Sequence, residues 1–167
     1  KKIWRKKTII ILPIILSFLF LSLFVYTAYK YRIDEGALGI LFVLGICIFS
    51  DIGGYIIGKS IGGKKLTKIS PNKTVSGSFG SFLFSFFPLG ILMLVGLEEN
   101  FSVQIILFCL LISFACQLGD LIISYFKRLA EVKDTGKILP GHGGMLDRID
   151  GVIFAIPSIL ITQPLLF

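Results

Sequence analysis

Residues 101–150 read FSVQIILFCLLISFACQLGDLIISYFKRLAEVKDTGKILPGHGGMLDRID, an apolar run that ends in a dense polar cluster. The cluster, residues 124–150, contains five Lys or Arg, four Asp or Glu and the only His of the chain, and Asp120 lies one turn upstream. Charged groups beside membrane-like sequence are energetically costly and usually mark functional sites. The stretch therefore predicts a polar active site at the end of a membrane helix.

The overall composition indicates an integral membrane protein of one domain, residues 1–167. The chain is 54% hydrophobic and 16% charged, with a mean hydropathy of +0.89, whereas soluble domains have about 25% charged residues. The net charge of +7 does not indicate nucleic-acid binding, because the cations cluster at the ends of apolar runs. Such clusters typically meet lipid headgroups. All three Cys lie inside apolar runs, which argues against a disulfide framework.

The apolar pattern predicts an all-α, polytopic transmembrane helical bundle. A helix needs about 20 residues to cross a bilayer, and the last predicted segment is short and contains two prolines. A signal peptide is the alternative for the first segment, but that run is longer than the usual apolar region of about 7–15 residues. The predicted membrane segments are 8–29, 37–58, 75–96, 101–126 and 152–167.

The positive charges predict the orientation of the bundle. Of the 17 Lys and Arg residues, all but Lys30 and Arg32 lie in residues 1–7, 59–73 and 127–148. By the positive-inside rule these three stretches share the cytoplasmic side. We therefore expect a bacterial inner-membrane protein whose polar cluster faces the cytoplasm, where nucleotides are found.

Polar residues near the second segment are candidates for substrate binding. Asp51 lies inside an apolar run, where a carboxylate normally faces a partner or a cavity. Gly54, Gly58 and Gly62 recur every fourth residue, a pattern that fits close helix packing as well as a functional site. The following loop, residues 59–73, contains lysines and hydroxyls that could grip phosphate, although a solvated basic loop is the simpler interpretation.

The spacing around Asp120 favours a phosphate and metal site. Asp120, Ser124 and Lys127 share one helical face, so the carboxylate needs Lys127, Arg128 or a metal ion as its counter-charge. Mg²⁺ takes carboxylate oxygens and substrate phosphates as ligands. Asp147 and Asp150, which follow the glycine-rich turn, could complete such a site.

The glycine-rich turn adds backbone donors and one imidazole. Residues 140–144 offer N–H groups that can surround an anion. His142 could act as an acid, a base or a hydrogen-bond donor, although a lone His is more often structural. A zinc site is not indicated, because no second His or Cys cluster exists.

A long motif in this region resembles the signature of the phosphatidate cytidylyltransferase family, the CDP-diacylglycerol synthases. Two upstream stretches, Asp51-x-x-x-Tyr55-x-x-Gly58 and Ser70-Pro71-Asn72-Lys73-Thr74, are also similar to the family. The signature positions that match are Ser124, Lys127, Arg128, Lys133, Asp134, Gly136, Leu139, Pro140, His142, Gly143, Gly144, Asp147, Arg148 and Asp150.

The resemblance implies transfer of CMP from CTP to phosphatidic acid, giving CDP-diacylglycerol and pyrophosphate. It implies that Asp120 and Asp147 hold Mg²⁺, and it leaves open whether a monovalent ion such as K⁺ joins. The expected catalytic residues are Lys127, Arg128, Lys133, Asp134, His142, Arg148 and Asp150. The expected substrate-binding residues are Asp51, Ser70, Lys73, Thr74, Ser124, Gly143 and Gly144.

Two departures from the family and two rival functions stand beside this interpretation. Ser76 occupies a position where the family usually has Glu, and the family usually has more N-terminal helices, which suggests truncation. The rivals are another CTP-dependent lipid enzyme, such as a polyprenol kinase or an archaeal-lipid cytidylyltransferase, and a non-catalytic lipid transporter. The small-residue faces could serve a homodimer or contacts within one chain.

Overall fold

The computed structural model describes residues 2–67, 70, 72–97, 102–132, 134–136, 144 and 146–166, with the side chains of 2–12, 148 and 166 outside that description. Within these ranges the fold is helical, and extended pairing is limited to one antiparallel bridge between Lys65 and Thr74. The helices are α1 (Lys2–Asp34), α2 (Gly36–Ile61), α3 (Val75–Phe84), α4 (Phe87–Leu94), α5 (Val103–Leu129) and α6 (Leu146–Leu166).

Four helical segments are long and apolar enough to cross a membrane, and they lie at Pro13–Asp34, Gly36–Ile61, Val75–Leu94 and Val103–Leu129. This confirms the all-α fold with several membrane-type helices. The third segment consists of two helices, because the chain turns at Ser85 and Phe86 and Pro88 lies in the first turn of α4. Proline suits that position, where its missing N–H costs no helical hydrogen bond.

The fifth predicted segment is one helix, α6, which continues through Pro157 and Pro164. Its apolar part, Ile149–Leu165, is shorter than the other four segments. Ile156, Pro157 and Ile159 are buried, so this helix lies inside the bundle. Packing on its neighbours therefore compensates for the prolines, which alone would destabilise a helix.

The core lies between α2, α5 and α6. Val43, Ile46 and Cys47 of α2 meet Cys109 and Ile112 of α5 there, all at most 1% exposed. Many of the large apolar side chains of α1 are exposed, as expected of a helix whose outer face meets lipid.

A glycine seam, formed by Gly53, Gly54 and Gly58 of α2 and Gly77 and Gly80 of α3, holds these two helices in close contact. A Cβ atom added to Gly53 would lie 2.5 Å from the Gly80 carbonyl oxygen, and one added to Gly77 would lie 2.8 Å from the Gly54 carbonyl oxygen. Only glycine permits backbones to approach this closely. Gly54 and Gly58 thus serve packing, as one of the two sequence interpretations proposed.

The glycine contacts bring the end of α2 to the start of α3, and the Lys127 contacts bring the end of α5 to the start of α6. The salt bridge between Lys73 and Asp120 joins the two pairs at one end of the bundle, which we call the polar end. It comprises the ends of α2 and α5 and the starts of α3 and α6. The loop at 62–74 and the connection at 130–145 both lie there. The opposite end carries the contact from Gln163 Nε2 to Glu35 Oε1, at 2.9 Å.

Candidate functional site

A cavity of ≈ 330 Å³ opens at the polar end between α2, α3, α5 and the loop at 62–74. Its charged lining residues are Asp51, Lys73 and Asp120. The remaining walls are mostly small or polar, which leaves room and hydrogen-bonding groups for a ligand of small-molecule size. They comprise Gly54, Tyr55, Leu66, Ser70, Asn72, Thr74, Gly77, Ser78, Ser81 and Gln117.

Helix caps fix the loop that carries Lys73. Gly62 and Gly63 end α2 with φ values of 65° and 107°, a conformation that favours glycine. Thr74 caps α3 by accepting a hydrogen bond from the Gly77 N–H at 3.1 Å. Ser76 Oγ, at the position where the family usually has Glu, donates to the Gly62 carbonyl. The loop is thereby closed at both ends.

Two backbone hydrogen bonds hold the loop at 62–74 in its folded form. The Leu66 N–H donates to the Lys73 carbonyl at 2.8 Å, and the Val75 N–H donates to the Lys64 carbonyl at 3.0 Å. These bonds flank the bridge between Lys65 and Thr74. These bonds hold Lys73 in the lining of the cavity.

Asp120 pairs with Lys73 across the cavity. The Lys73 ammonium forms a salt bridge to Asp120 Oδ2, and Ser124 Oγ donates to Asp120 Oδ1 at 3.3 Å. The contact with Ser124 confirms their shared helical face. Of the counter-charges expected from the sequence, Lys127 and Arg128 are not the partners of this carboxylate in the structure. A loop distant in sequence reaches this carboxylate instead.

Lys127 is engaged by the two carboxylates at the start of α6. Its ammonium lies 3.0 Å from Asp147 Oδ1 and 3.4 Å from Asp150 Oδ2. Asp150 also interacts electrostatically with Asp120 and Asp51. The carboxylates of three helices are thus close enough to repel one another. The two lysines offset that repulsion.

The second carboxylate oxygen of Asp147 binds two residues of the connection that precedes α6. Asp147 Oδ2 accepts hydrogen bonds from Thr135 N at 2.9 Å, Thr135 Oγ1 at 3.0 Å and Gly144 N at 2.8 Å. Burial tends to raise the pKa of this carboxyl, but the Thr135 and Gly144 N–H groups and the Lys127 ammonium hold it well below its ordinary value. Asp147 is therefore ionised throughout the physiological range.

A magnesium ion commonly takes one or two protein carboxylates together with phosphates and waters, and two carboxylates at the polar end each have an oxygen that could accept a further contact. Asp120 Oδ1 accepts one hydrogen bond from Ser124, and Asp147 Oδ1 accepts one from Lys127. Each oxygen therefore keeps spare accepting capacity. Within the described ranges no three His, Cys, Asp or Glu side chains form a ready-made metal cage, so phosphate oxygens would complete the coordination.

The other predicted residues differ in how closely they approach this site. Ser70 and Thr74 line the cavity. Arg128 is exposed and donates to the Val132 carbonyl at 3.5 Å, and Asp134 is exposed. Lys133, His142, Gly143 and the side chain of Arg148 lie outside the described residues.

Sequence reasoning missed several residues that contribute to the site. Thr135 occupies a variable position of the family signature, and Ser78 and Gln117 resemble ordinary polar residues within apolar helices. Their positions within helices gave a partial signal, because Gln117 lies one turn before Asp120. The contact between Thr135 and Asp147 depends on how the connection before α6 folds, so spacing along the sequence could not predict it.

A comparison with known protein families matches residues 1–165 to the cytidylyltransferase family. The chain belongs to the cytidylyltransferase family. Among curated members, the phosphatidate cytidylyltransferase of Staphylococcus epidermidis is 46% identical over 134 residues, covering 78% of this chain and 51% of the relative. That of Helicobacter pylori is 39% identical over 146 residues, covering 87% and 54% respectively. This cytidylyltransferase-family chain thus spans about half the length of the curated relatives it matches.

Proposed function

We propose that the chain forms the catalytic part of an integral membrane phosphatidate cytidylyltransferase, which transfers CMP from CTP to phosphatidic acid. The observation that carries the proposal is the cavity at the polar end, where the Lys73–Asp120 pair faces Asp51. Relatives that bear this activity by name support it. The products are CDP-diacylglycerol and pyrophosphate.

Phosphoryl-type transfer relies mainly on positioning and charge neutralisation. Lys73 and Lys127 are the described cations nearest the carboxylates, and we assign them to the phosphates of CTP. Each lysine can exchange its carboxylate partner for a phosphate oxygen without losing an ionic contact. Arg128, Lys133 and Arg148 remain further candidates for neutralising the triphosphate.

The reaction needs no strong general base on the protein. The phosphate of phosphatidic acid is already largely ionised near neutral pH, as expected for a second pKa of about 6 in phosphate monoesters. Its oxygen attacks the α-phosphorus of CTP in line, the bond to the β-phosphate oxygen breaks, and pyrophosphate leaves. His142 is assigned as an orienting donor, and no covalent enzyme intermediate forms.

Asp120 and Asp147 are the residues proposed to hold Mg²⁺. When bound, the ion neutralises charge on the phosphates and orients them. Asp147 can serve through Oδ1 while Oδ2 keeps its three hydrogen bonds to Thr135 and Gly144. Asp120 can serve once Lys73 moves to a phosphate.

The proposed location is the bacterial inner membrane, with the polar end toward the cytoplasm. The basic stretches at 59–73 and 127–148 adjoin that end, which agrees with the positive-inside rule. CTP would enter from the cytoplasm. Phosphatidic acid would enter from the adjacent leaflet.

The deciding experiment incubates the protein in detergent micelles with phosphatidic acid, Mg²⁺ and CTP labelled either at the α- or the γ-phosphate. We expect the α-label in a lipid product and the γ-label in pyrophosphate. Transfer of the γ-label to lipid would instead identify a kinase. The S. epidermidis relative serves as the positive control for the assay.

Asp120→Asn tests the assignment of the site within that assay. We expect a loss of at least about 100-fold in kcat, the scale on which removal of one electrostatic stabiliser acts. Near-normal turnover, with the variant present in the membrane at the wild-type level, would reject the role of Asp120.

A further inference from the structure

The cavity has a second polar region, deeper in the bundle than the Lys73–Asp120 pair. Gln117 lies three residues before Asp120 on α5, about 4.5 Å further from the polar end. Its side chain lines the same cavity, together with Ser78 of α3 and Asp51 of α2. This region contributes hydrogen-bonding groups at membrane depth.

Hydrogen bonds to two serine hydroxyls anchor the Gln117 amide at the cavity. Ser78 Oγ donates to Gln117 Oε1, and Gln117 Nε2 donates to Ser113 Oγ at 3.4 Å. Ser113 is fully buried and contacts the equally buried Ser50 at 2.8 Å. A side-chain amide has two N–H donors and an oxygen with two lone pairs. One donor and one lone pair therefore remain on the cavity-lining Gln117.

Asp51 of α2 supplies an acceptor in the lining of the same cavity. Its carboxylate interacts electrostatically with Lys73 and Asp120. Among the residues that the structure describes, no hydrogen bond or salt bridge to Asp51 is present, so its oxygens can accept from a ligand. The deep region thus pairs a fixed amide with a carboxylate.

We propose that Asp51 and Gln117 recognise the cytosine ring of CTP, with Gln117 donating to ring N3 and Asp51 accepting from the N4 amine. This assignment rests on the proposed function. Carboxylates are established acceptors for the N4 amine of cytosine. Uracil presents an oxygen and an N–H at these two positions, so it would place an acceptor against Asp51 and a donor against Gln117.

In this proposal the two regions of the cavity bind different parts of the nucleotide, the triphosphate and the base. Lys73 and Asp120 lie at the mouth, where the triphosphate and its counter-charges belong. The deeper region lacks a cation among its described lining residues, Asp51, Gly54, Ser78, Ser81 and Gln117, and therefore suits a neutral ring better than a phosphate.

The serine and glutamine contacts also join α2, α3 and α5, and polar contacts of this kind strengthen membrane helix packing. The contact between Ser50 and Ser113 joins α2 to α5, and neither serine lines the cavity. Packing therefore explains the buried serines, and base recognition explains why an amide faces open space one turn below Asp120.

The first experiment compares Gln117→Leu with Gln104→Leu, the same substitution at an exposed position of the same helix. Steady-state rates are measured with CTP, with UTP and with varied phosphatidic acid. We expect Gln117→Leu to raise the KM for CTP about 10-fold or more, since a good base contact contributes about 10- to 100-fold. The KM for phosphatidic acid should not change, and Gln104→Leu should match wild type.

The second experiment uses Asp51→Asn. This substitution keeps the size of the side chain, so it still tests the proposal if Gln117→Leu does not fold. The new amide can donate to the uracil oxygen, so the preference for CTP over UTP should fall by about 10- to 100-fold. A purely structural role would lower the rates with both nucleotides equally and leave their ratio unchanged.

Three outcomes would overturn the assignment while leaving the proposed function intact. They are an active wild type that uses CTP and UTP equally, an unchanged nucleotide ratio in Asp51→Asn, and a Gln117→Leu variant whose KM rises for phosphatidic acid alone. This last result would mean that the deep region binds phosphatidic acid instead of the base. A wild type that transfers no CMP at all would refute the proposed function instead.

Discussion

At the scale of single residues, the site is organised by two lysines that each hold carboxylates from other parts of the chain. Lys73 holds Asp120, and Lys127 holds Asp147 and Asp150. Burying several carboxylates near a membrane is unfavourable unless opposite charges accompany them. Thr135 has a different role, because its N–H and its hydroxyl both donate to Asp147 and thereby position a carboxylate.

Thr135→Val tests that positioning role against Thr135→Ser. Valine removes the Oγ1 bond to Asp147 and keeps the N–H bond, whereas serine keeps both. We expect Thr135→Val to lower kcat up to about 10-fold, the scale of one hydrogen bond to a charged group at a solvent-exposed position. Rates measured over a range of Mg²⁺ concentrations should show a weaker apparent Mg²⁺ affinity in the valine variant. Equal rates for both variants would contradict the role.

The depressed pKa of Asp147 leads to a prediction about pH. A carboxyl whose folded pKa lies below its ordinary value of about 3.9 contributes stability above that value and loses it as the pH falls toward the folded pKa. Asp147→Asn should therefore lower the melting temperature by a constant amount between pH 6 and pH 8. The difference from wild type should shrink below about pH 4. A difference that grows on acidification would contradict the depressed pKa.

Sequence reasoning selected several residues that the structure places at the cavity or at the start of α6, but not the contacts that they make. Ser124, Lys127 and Asp147 could be selected because they belong to one motif. Helical spacing added Asp120, which shares a face with Ser124 and Lys127. The Lys73–Asp120 pair could not be predicted, because it depends on how Gly62 and Thr74 close a loop elsewhere in the chain. Spacing within one helix does not report such contacts.

At the scale of helices, the glycine seam between α2 and α3 shapes the wall of the cavity. Gly54 and Gly77 belong both to the seam and to the cavity lining. Side chains at these positions would separate the helices and fill the cavity. Packing and ligand binding therefore depend on the same absence of Cβ atoms.

Gly80→Ala and Gly90→Ala form a matched pair that tests the seam. A Cβ on Gly80 would lie 2.5 Å from Ile57 Cβ and 2.6 Å from the Gly53 carbonyl oxygen, whereas one on Gly90 meets nothing within 4 Å. We expect Gly80→Ala to destabilise the fold by about 1–3 kcal/mol, as overpacking does. Gly90→Ala should be neutral or stabilising by up to about 1 kcal/mol. Thermal unfolding in detergent measures both, and equal stabilities would reject a tight seam.

The helices themselves were easier to predict than their interruptions. Hydropathy located the apolar segments because about 20 apolar residues suffice to cross a bilayer. The break at Ser85–Phe86 was not resolved into two helices, although Pro88 signalled an irregularity. The two prolines of α6 suggested a broken helix, but tertiary packing keeps it continuous.

At the scale of the whole molecule, the basic loops and the cavity share one end of the bundle. Lys64 and Lys65 are exposed at the polar end, and Asp34 and Glu35 are exposed at the opposite end. Lys30 and Arg32 are exposed beside these two acids, so the positive-inside rule predicts the orientation from the greater number of cations at the polar end. The three native cysteines are buried, so they do not interfere with labelling of introduced thiols.

Lys65→Cys and Asp34→Cys test the orientation in cells. A membrane-impermeant maleimide should label Asp34→Cys in spheroplasts with an intact inner membrane, and Lys65→Cys only after that membrane is permeabilised. The reverse pattern would place the cavity on the outer side of the membrane and exclude CTP as its substrate.

The salt bridges of Lys73 and Lys127 also determine how the protein rests between reaction cycles. With these counterions in place, Lys73 and Lys127 offset part of the negative charge that Asp51, Asp120, Asp147 and Asp150 bring to the polar end. An anionic substrate that binds there would replace a carboxylate as the ionic partner of each lysine. In the proposed reaction the carboxylates would compete with the departing pyrophosphate for the same ammonium groups.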